Sequence, residues 1–217
     1  MSRARIPSAK TSVGGPPGRR YHHGNLRQAL LEATVRLIEI QGLDQVSVRA
    51  VAKMVGVSPG APFRHFPTRT ALLTAVAEQA MDRLRDEIDK ALAAAADENA
   101  LMRYRALGIG FFTWAFGNPV HFQVISTRAV IDFEGSSLRA RNDEIRAVMA
   151  GMMRDAQAAG LLRRGDPVRH AVAGRALAYG LARMSIDGQF PSWDVEDLNP
   201  LQEVIGIFDQ FIASIAA

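Results

Sequence analysis

The chain alternates between apolar faces at helical spacing and short polar or glycine-containing breaks, a pattern that predicts an all-α fold of about nine helices. The clearest face predicts a first helix over 25–41, with Asn25 as its cap and Gly42 as its end. A longer face predicts one extended helix from residue 68 or 69 to about residue 96. No stretch shows the alternation typical of a strand. Further helices are predicted over 99–116, 119–131, 137–159, 167–187 and 198–215.

Two short helices joined by a tight turn are predicted between residues 46 and 66. Gly56 suits the positive φ of a helix end, Ser58 suits a cap, and Pro59 suits the first position of a second helix that runs to about His65. This arrangement is typical of a helix-turn-helix that reads DNA, although a corner inside a helical core has the same spacing. The first helix presents one apolar face, formed by Val48, Val51, Ala52 and Val55.

Positive charge is concentrated at the front of the chain. Residues 1–69 contain eleven Lys/Arg and three Asp/Glu, a net charge of +8, whereas residues 70–217 contain fifteen and nineteen, a net charge of −4. Contact with DNA phosphates requires such a charge. Part of it lies in a tail, residues 1–20, whose Gly, Pro, Ser and basic residues predict disorder. This tail is either an arm over the duplex or a solvated segment without a role.

The composition indicates a protein of the cytoplasm without a membrane segment. The longest nearly apolar run, 106–117, is too short to cross a bilayer, and no apolar signal-peptide core follows the basic N-terminus. The absence of cysteine excludes disulfides and cysteine-bound zinc. Neither a nucleophile elbow nor a phosphate-binding or dinucleotide-binding glycine pattern occurs, and the five histidines lack metal-ligand spacing on a helix. We therefore expect no catalysis, no cofactor and no metal.

The front of the chain resembles the tetracycline-repressor (TetR) family of transcriptional regulators. The resemblance is strong over residues 21–75, and the later segments 111–119 and 121–122 are similar to a subgroup whose N-terminus resembles 21–27. It rests on four parts in order: the first helix with its Gly42-Leu43 end, Ser47-Val48-Arg49-Ala50-Val51-Ala52, Gly56-Val57-Ser58-Pro59, and Phe63-Arg64-His65-Phe66 followed by Thr68-Arg69-Thr70-Ala71-Leu72-Leu73.

The resemblance implies a DNA-binding domain at 21–68 and a helical ligand-binding and dimerisation domain at 69–217. The family usually has tyrosine where this chain has Phe63, so a hydroxyl bond to phosphate is absent here. A net hydrogen bond contributes about 1 kcal/mol, so we expect weaker binding without loss of function. The implied DNA-binding residues are Arg49, Ser58, Pro59, Gly60, Ala61, Phe63, Arg64, His65 and Arg69, with base edges facing Pro59, Gly60, Ala61 and Arg64 and phosphates facing Phe63, His65 and Arg69.

Aromatic and methionine side chains concentrate in the rear part of the chain. They predict either an ordinary core or an apolar pocket for a small effector, and the family resemblance favours a pocket. The predicted ligand-binding residues are Tyr104, Phe111, Phe112, Trp114, Phe122, Met149, Met153, Arg175 and Tyr179. Further candidate polar contacts are Thr113, His121, Gln123 and Arg128.

Two helix faces near the C-terminus are candidates for a dimer interface. Two-fold pairing would present two reading heads to palindromic half-sites about 34 Å apart. Burial of the same faces inside one chain is the alternative. The faces consist of Ala171, Gly174, Ala178 and Leu181 on one helix, and of Ile205, Phe208, Ile212 and Ile215 on the last helix.

Together these features predict a homodimeric, sequence-specific regulator of a double-stranded DNA operator. A repressor released by a small apolar or amphipathic molecule is the leading hypothesis. An activator fits the same features, because the sign of regulation depends on where the operator lies. A helical ligand-binding or interaction module that has lost operator binding is a further alternative, which the missing hydroxyl at Phe63 supports weakly.

Overall fold

A computed structural model describes residues 26–194 and 199–217 of the chain. The predicted disorder of 1–20, the motif at 21–25 and the cap Asn25 lie outside these residues. The α-helices are α1 (Leu26–Gln41), α2 (Val48–Val55), α3 (Arg69–Ala94), α4 (Ala100–Gly117), α5 (Pro119–Ser126), α6 (Leu138–Ala158), α7 (Pro167–Ile186) and α8 (Pro200–Ile215).

The all-α prediction is confirmed. Eight α-helices account for most of the described residues, and the β-type pairing there is an isolated bridge between Leu162 and Ala216. The ninth predicted helix, the second one of the helix-turn-helix, is present as a single 3-10 turn over Ala61–Arg64. Three other 3-10 turns connect helices, at Leu43–Gln45, Arg128–Val130 and Phe190–Trp193.

Polar caps fix where several helices begin. Ser47, Thr68 and Asn99 each accept a hydrogen bond from the backbone N–H three residues later, at 3.0–3.1 Å. Asp166 accepts from Val168 N at 2.8 Å, and Pro167 occupies the first position of α7, as its sequence predicts. These local signals explain why most helix bounds agree with the sequence pattern to within two residues. The prediction for α5 is wrong at its end, because α5 stops at Ser126 and a separate 3-10 turn follows at Arg128–Val130.

The long helix α3 joins the front of the molecule to the rear. It packs against α1 near its N-terminus and against α4, α5 and α6 further along. In the rear, α4 contacts α3, α5, α6, α7 and α8 and therefore lies at the centre. One continuous hydrophobic cluster runs from Leu30 in α1 to Ile215 in α8. The boundary between two domains at residues 68 and 69 stays a prediction.

Helices α3 and α4 cross at very short distance. A Cβ placed on Gly110 of α4 would lie 2.8 Å from the carbonyl oxygen of Glu87 and 2.9 Å from Cα of Ile88. Both are backbone atoms of α3, so a larger side chain at this position would push the two helices apart. Glycine is therefore required here by the close approach of the two backbones.

The predicted dimer faces are mostly buried within the chain, so their proposed use as a dimer interface is wrong. Seven of the eight predicted residues are buried, and Ile205 is half-buried against the same core. The apolar periodicity correctly indicated burial, but α7 packs against α4, α6 and α8, and α8 packs against α4 and α7, all within one chain. The seven are Ala171, Gly174, Ala178, Leu181, Phe208, Ile212 and Ile215.

No helix among the described residues is both long enough and apolar enough to cross a membrane.

Candidate DNA interface and ligand cavity

Helix α2 is held in place by its buried apolar face and by both of its ends. Ser47 caps its N-terminus, and Gly56 ends it in the left-handed region at φ 78° and ψ 30°. The N–H of Gly56 donates to the carbonyl of Ala52 at 3.0 Å, and that of Val57 donates to the same carbonyl at 3.1 Å. Glycine avoids the Cβ strain of this conformation, which lets the chain turn sharply at the predicted position.

The second half of the motif is shorter than the sequence predicts. The chain makes a turn through Ser58, where the carbonyl accepts from Ala61 N at 3.1 Å, and then one 3-10 turn with Gly60 rather than Ser58 at its cap. The predicted α-helix from Pro59 to His65 is therefore wrong in extent. In an α-helix that begins at Pro59, residue 62 would have to donate to the carbonyl of Ser58. Pro62 has no N–H for this bond, and Ala61 N donates to that carbonyl instead, which explains the shortening.

The exposed surface of the motif is basic. Arg49 and Lys53 of α2, and Arg64 and His65 after the turn, are all exposed. Within the part of the chain that the structure describes, none of these four side chains takes part in an ion pair. An unpaired cationic surface attracts polyanions, because counterions released from the polyanion favour association.

Small and apolar residues lie between these cations. Ser58, Pro59 and Gly60 are exposed, and Ala61 is half-buried. A Cβ on Gly60 would meet no atom within 4 Å, so the backbone is open to solvent at this point. Such a surface permits the close approach to a duplex that base contacts require.

The two phenylalanines of the turn have different environments. Phe63 is 41% exposed, whereas Phe66 is 3% exposed. The guanidinium of Arg27 lies 5.4 Å from the centroid of the Phe66 ring and covers it. Phe66 is thus an anchor for the turn, and Phe63 is left on its surface.

Arg69 has a structural contact that the sequence reading missed. Its Nε donates to the carbonyl of Val46 at 2.9 Å, and one of its terminal nitrogens donates to the carbonyl of Leu43 at 2.9 Å. The first residue of α3 therefore holds the loop between α1 and α2. These carbonyls lie more than twenty residues before Arg69 in the sequence, so no local pattern indicated the contact. Its predicted role at phosphate stays a prediction.

A cavity with two lobes lies in the rear, between α3, α4, α6 and α7. The inner lobe contains about 700 Å³ of empty space, including its mouth, and its wall includes Met81, Leu84 and Ile88 of α3. The second lobe extends towards α5 and has a similar volume of about 720 Å³. The lobes share six wall residues: Met81, Leu84, Phe111, Asn142, Arg175 and Tyr179.

Most of the predicted ligand-binding residues lie on this cavity. The exceptions are Phe112 and Met153, which are fully buried and absent from the walls of both lobes. Phe112 packs edge-on against Phe208, with ring centroids 5.6 Å apart. The residues placed on the cavity are Tyr104, Phe111, Trp114, Phe122, Met149, Arg175 and Tyr179.

The additional polar candidates have separate positions. Arg128 lines the second lobe, whereas Thr113 is exposed and Gln123 is half-buried, both outside the walls. His121 is 4% exposed, lies outside the cavity, and has an Nε2 without a hydrogen-bond partner in the described residues. Burial, and then the positive charge of Arg83, lowers the pKa of His121 to about 4.

Tyr104 is held in place by a hydrogen bond across the core. Its hydroxyl donates to the carbonyl of Ala171 on α7 at 3.1 Å, and burial raises its pKa. The ring is therefore a neutral, fixed part of the cavity wall. This long-range partner could not be read from the sequence.

Several wall residues of the cavity were missed by the sequence reading. Leu107 and Gly108 of α4 and Ile145 of α6 lie on the wall, and Phe208 closes it from α8. Their apolar periodicity signals burial but does not separate a cavity wall from a packed core. Among the described residues, no cluster of His, Asp and Glu side chains suits a metal ion.

Two family models match the chain. The model "Bacterial regulatory proteins, tetR family" matches residues 30–76, and "Tetracyclin repressor-like, C-terminal domain" matches residues 104–205. The first covers the candidate DNA interface, and the second begins at Tyr104 of the cavity.

Individual relatives are more distant. The nucleoid occlusion factor SlmA of Vibrio campbellii is 27% identical over 122 residues, which cover 56% of this chain and 61% of SlmA, so the match spans about three fifths of that relative. A structure of a protein of unknown function from Rhodococcus sp. RHA1 is 29% identical, with a TM-score of 0.74, and covers 92% of this chain and all of the other. The regulator PfmR of Thermus thermophilus shares the fold, with 17% identity, a TM-score of 0.68, and coverage of 85% and 97%.

Proposed function

The chain belongs to the TetR family of bacterial regulatory proteins, and we propose that it acts as a homodimeric repressor that a small apolar or amphipathic ligand releases from its DNA operator. One observation carries this proposal. Helix α3 begins at the candidate DNA interface with Arg69 and continues as the wall of the cavity, through Met81, Leu84 and Ile88. A single rigid element thus reaches both sites.

On the DNA side, the turn at 58–65 enters the major groove of the operator. Base edges face Pro59, Gly60, Ala61 and Arg64, while phosphates face Phe63 and His65. Arg49 reaches a phosphate or a base edge from α2, and Ser58 lies at the start of the turn. The exposure of the cations and the open space around Gly60 support this assignment. Arg69 supports the interface through the loop carbonyls and uses its remaining donors for phosphate.

On the ligand side, occupation of the cavity shifts the position of α3. A ligand that fills the space beside Met81 and Leu84 binds more tightly to the conformation in which α3 leaves room for it. This difference in affinity shifts the equilibrium between the conformations of the protein. Because Arg69 fixes the loop between α1 and α2, a displaced α3 carries the DNA-reading turn with it. The spacing of the two reading heads in the dimer then no longer fits the operator.

The dimer is formed by surfaces other than the buried faces of α7 and α8. The outward side of α7 presents Val168 and Val172, which are 46% and 63% exposed, together with the small residues Ala173 and Ala176. Gly206 and Ala213 are exposed on α8. These outward sides support close packing of helices against a second copy, because small side chains let helix backbones approach.

The experiment that tests the proposal is a selection of genomic DNA fragments with the purified protein. The best fragment is then titrated at two salt concentrations, and the size of the complex is measured. We expect a palindromic site, two chains per site and a steep fall in affinity with salt. Weak binding of every sequence alike would leave a ligand-binding module without operator recognition. A reporter gene behind the site distinguishes repression from activation.

A further inference from the structure

The mouth of the cavity is cationic. Arg175 lines both lobes, Arg128 lines the second lobe and Arg146 lines the inner one. No Asp or Glu lies on the described wall of either lobe. The deep part is apolar, with Leu84, Ile88 and other aliphatic and aromatic side chains. The cavity therefore has one apolar end and one positively charged end.

Two of the three arginines lack an acidic partner in the described part of the chain. Arg146 is paired with Asp143 at 3.3 Å, whereas neither Arg128 nor Arg175 takes part in any ion pair there. Glu134 lies near Arg128 but is bound to Arg139. Eight of the fifteen Lys and Arg residues of 70–217 take part in ion pairs, and Arg128 and Arg175 are the two unpaired ones that line the cavity.

Both unpaired guanidinium groups are held in place by neutral neighbours. A terminal nitrogen of Arg175 donates to Oδ1 of Asn142 at 3.1 Å. The guanidinium of Arg128 stacks on the ring of Phe133, 3.2 Å from its centroid. Burial, and then the positive charge of Arg175, lowers the pKa of Arg128. Both guanidinium groups line the second lobe, where a bound carboxylate would accept hydrogen bonds from them.

A buried donor at the same lobe also lacks a partner. The indole of Trp114 lines the second lobe and is 1% exposed, and its Nε1 makes no hydrogen bond within the described residues. A buried N–H without an acceptor is costly. The atom itself is buried rather than open to the lobe, so the assignment of a ligand rests on the arginines.

We infer that the effector is an amphiphile with a carboxylate head and a hydrocarbon tail. The carboxylate is bound by Arg128 and Arg175 at the mouth, and the tail lies in the inner lobe beside Leu84 and Ile88. The planar carboxylate matches the donor geometry of guanidinium, and the apolar side chains of the inner lobe suit a hydrocarbon tail. The carboxylate site is argued from the cavity alone, and only the statement that the bound molecule is the effector rests on the proposed function.

The test is the affinity of the full-length protein for three ligands that share one tail. Decanoate, decanol and decyltrimethylammonium are titrated by calorimetry below their micelle concentrations and without DNA. We expect decanoate to bind about tenfold or more tightly than decanol, because a charge-assisted hydrogen bond contributes about this much. We expect the cation to bind most weakly. Equal affinity for decanoate and decanol, tighter binding of the cation, or binding of none of the three would overturn the inference.

Matched variants assign the charge effect to the mouth. Arg175→Met and Arg128→Met should each remove most of the preference for decanoate while the affinity for decanol is retained, which also shows that the cavity is intact. Arg154→Met is the control, because Arg154 is exposed on the same helix as Arg146 but lies outside the cavity walls. It should change neither affinity. An unchanged preference in both Arg175→Met and Arg128→Met would contradict the assignment.

Failure of this inference can be separated from failure of the proposed function. Decanoate that binds with the expected preference but does not release the selected operator supports the carboxylate site and contradicts ligand-controlled release. A neutral compound that releases the operator, while decanoate shows no preference over decanol, supports the proposed function and overturns the carboxylate site.

Discussion

The front and rear of this molecule differ in how many of their charged side chains form ion pairs. Every ion pair among the described residues lies at or behind Asp82, as in the pair of Arg105 with Asp209. In front of it, Arg49, Lys53 and Arg64 are exposed without acidic partners. A cation that is paired with an acid of the same chain is already neutralised, whereas an unpaired cation is available to an external anion. Eight of the fifteen Lys and Arg residues of 70–217 are paired, so a larger share of the positive charge is open to an external anion at the front than in the rear.

The aromatic residues show the same division. Phe208 in the rear is 1% exposed and contacts Tyr104, Phe112 and Phe211 with ring centroids 5.6–6.5 Å apart. Phe63 at the front is 41% exposed. Burial of an aromatic ring stabilises the fold, whereas an exposed ring contributes little unless a partner covers it.

Truncation of one phenylalanine in each region should give very different stabilities. Phe208→Ala should lower the free energy of unfolding by about 3–5 kcal/mol, because it leaves a cavity in the rear core. Phe63→Ala should change it by less than about 0.5 kcal/mol, because the ring is exposed. Urea unfolding of both variants measures this. A comparable loss in the two variants would show that Phe63 is a core residue.

Removal of two cations from the front should affect DNA and not the fold. Arg49→Ala combined with Arg64→Ala should weaken operator binding about a hundredfold, since each lost contact costs about tenfold, and should reduce the salt dependence. The unfolding midpoint should stay the same. Arg105→Ala is the rear control, which removes a partly exposed ion pair and should leave DNA affinity unchanged. Equal losses in the two regions would remove the distinction between binding and folding charges.

Acidification should lower the stability of the protein through His121, which lies where the rear helices pack against the front. His121 lies on α5, which packs against both α1 and α3. Its pKa of about 4 in the folded chain is below the unfolded value of about 6.5, so the unfolded chain takes up the proton first as the pH falls. Stability from this residue is complete above pH 6.5 and is lost between pH 6.5 and 4.

The expected loss is about 2 kcal/mol between pH 7 and pH 5. The measurement is the free energy of unfolding in urea at the two pH values, for the native chain and for His121→Leu. The variant should lose less stability over this interval. The same pH dependence in both proteins would assign the effect to other groups.

Two glycines of the rear should respond to alanine with opposite signs. Gly110→Ala places a Cβ against the backbone of α3 and should cost at least about 1 kcal/mol. Gly151→Ala in α6 meets no atom within 4 Å and should stabilise the protein by about 0.5–1 kcal/mol, because alanine is the better helix former. Thermal unfolding distinguishes them. We also expect Gly110→Ala, but not Gly151→Ala, to weaken operator binding, because α3 is connected to the DNA-reading turn. Unaltered operator binding by Gly110→Ala would show that a displacement of α3 at Gly110 does not reach the DNA interface.

Restoration of the missing hydroxyl should have the smallest effect. Phe63→Tyr adds one hydrogen-bond donor to an exposed ring and should strengthen operator binding by about 1 kcal/mol, or about fivefold. Stability should not change, because no buried group is affected. Operator titration at fixed salt measures the gain. Unaltered affinity would place the ring away from the phosphates.

The success of the sequence reading depends on how local each signal is. The end of α2 at Gly56 and the start of α7 at Asp166 follow from a few neighbouring residues, and both agree with the structure. The second motif helix was predicted too long, although Pro62, which removes the first hydrogen bond of such a helix, was visible. The faces of α7 and α8 were correctly read as apolar and wrongly assigned to a dimer. Periodicity tells which side of a helix is apolar, not what covers it.

The all-helical architecture, most caps and turns, the family resemblance and the excess of positive charge at the front could be inferred from the amino-acid sequence. These features follow from local propensity and composition, which each short segment carries alone. The contacts of Arg69 with the loop before α2, the close approach of α3 and α4 at Gly110, and the position of Arg128 and Arg175 on one cavity wall became visible in the folded chain. Such contacts join residues far apart in the chain, so they depend on how the helices pack rather than on any one helix.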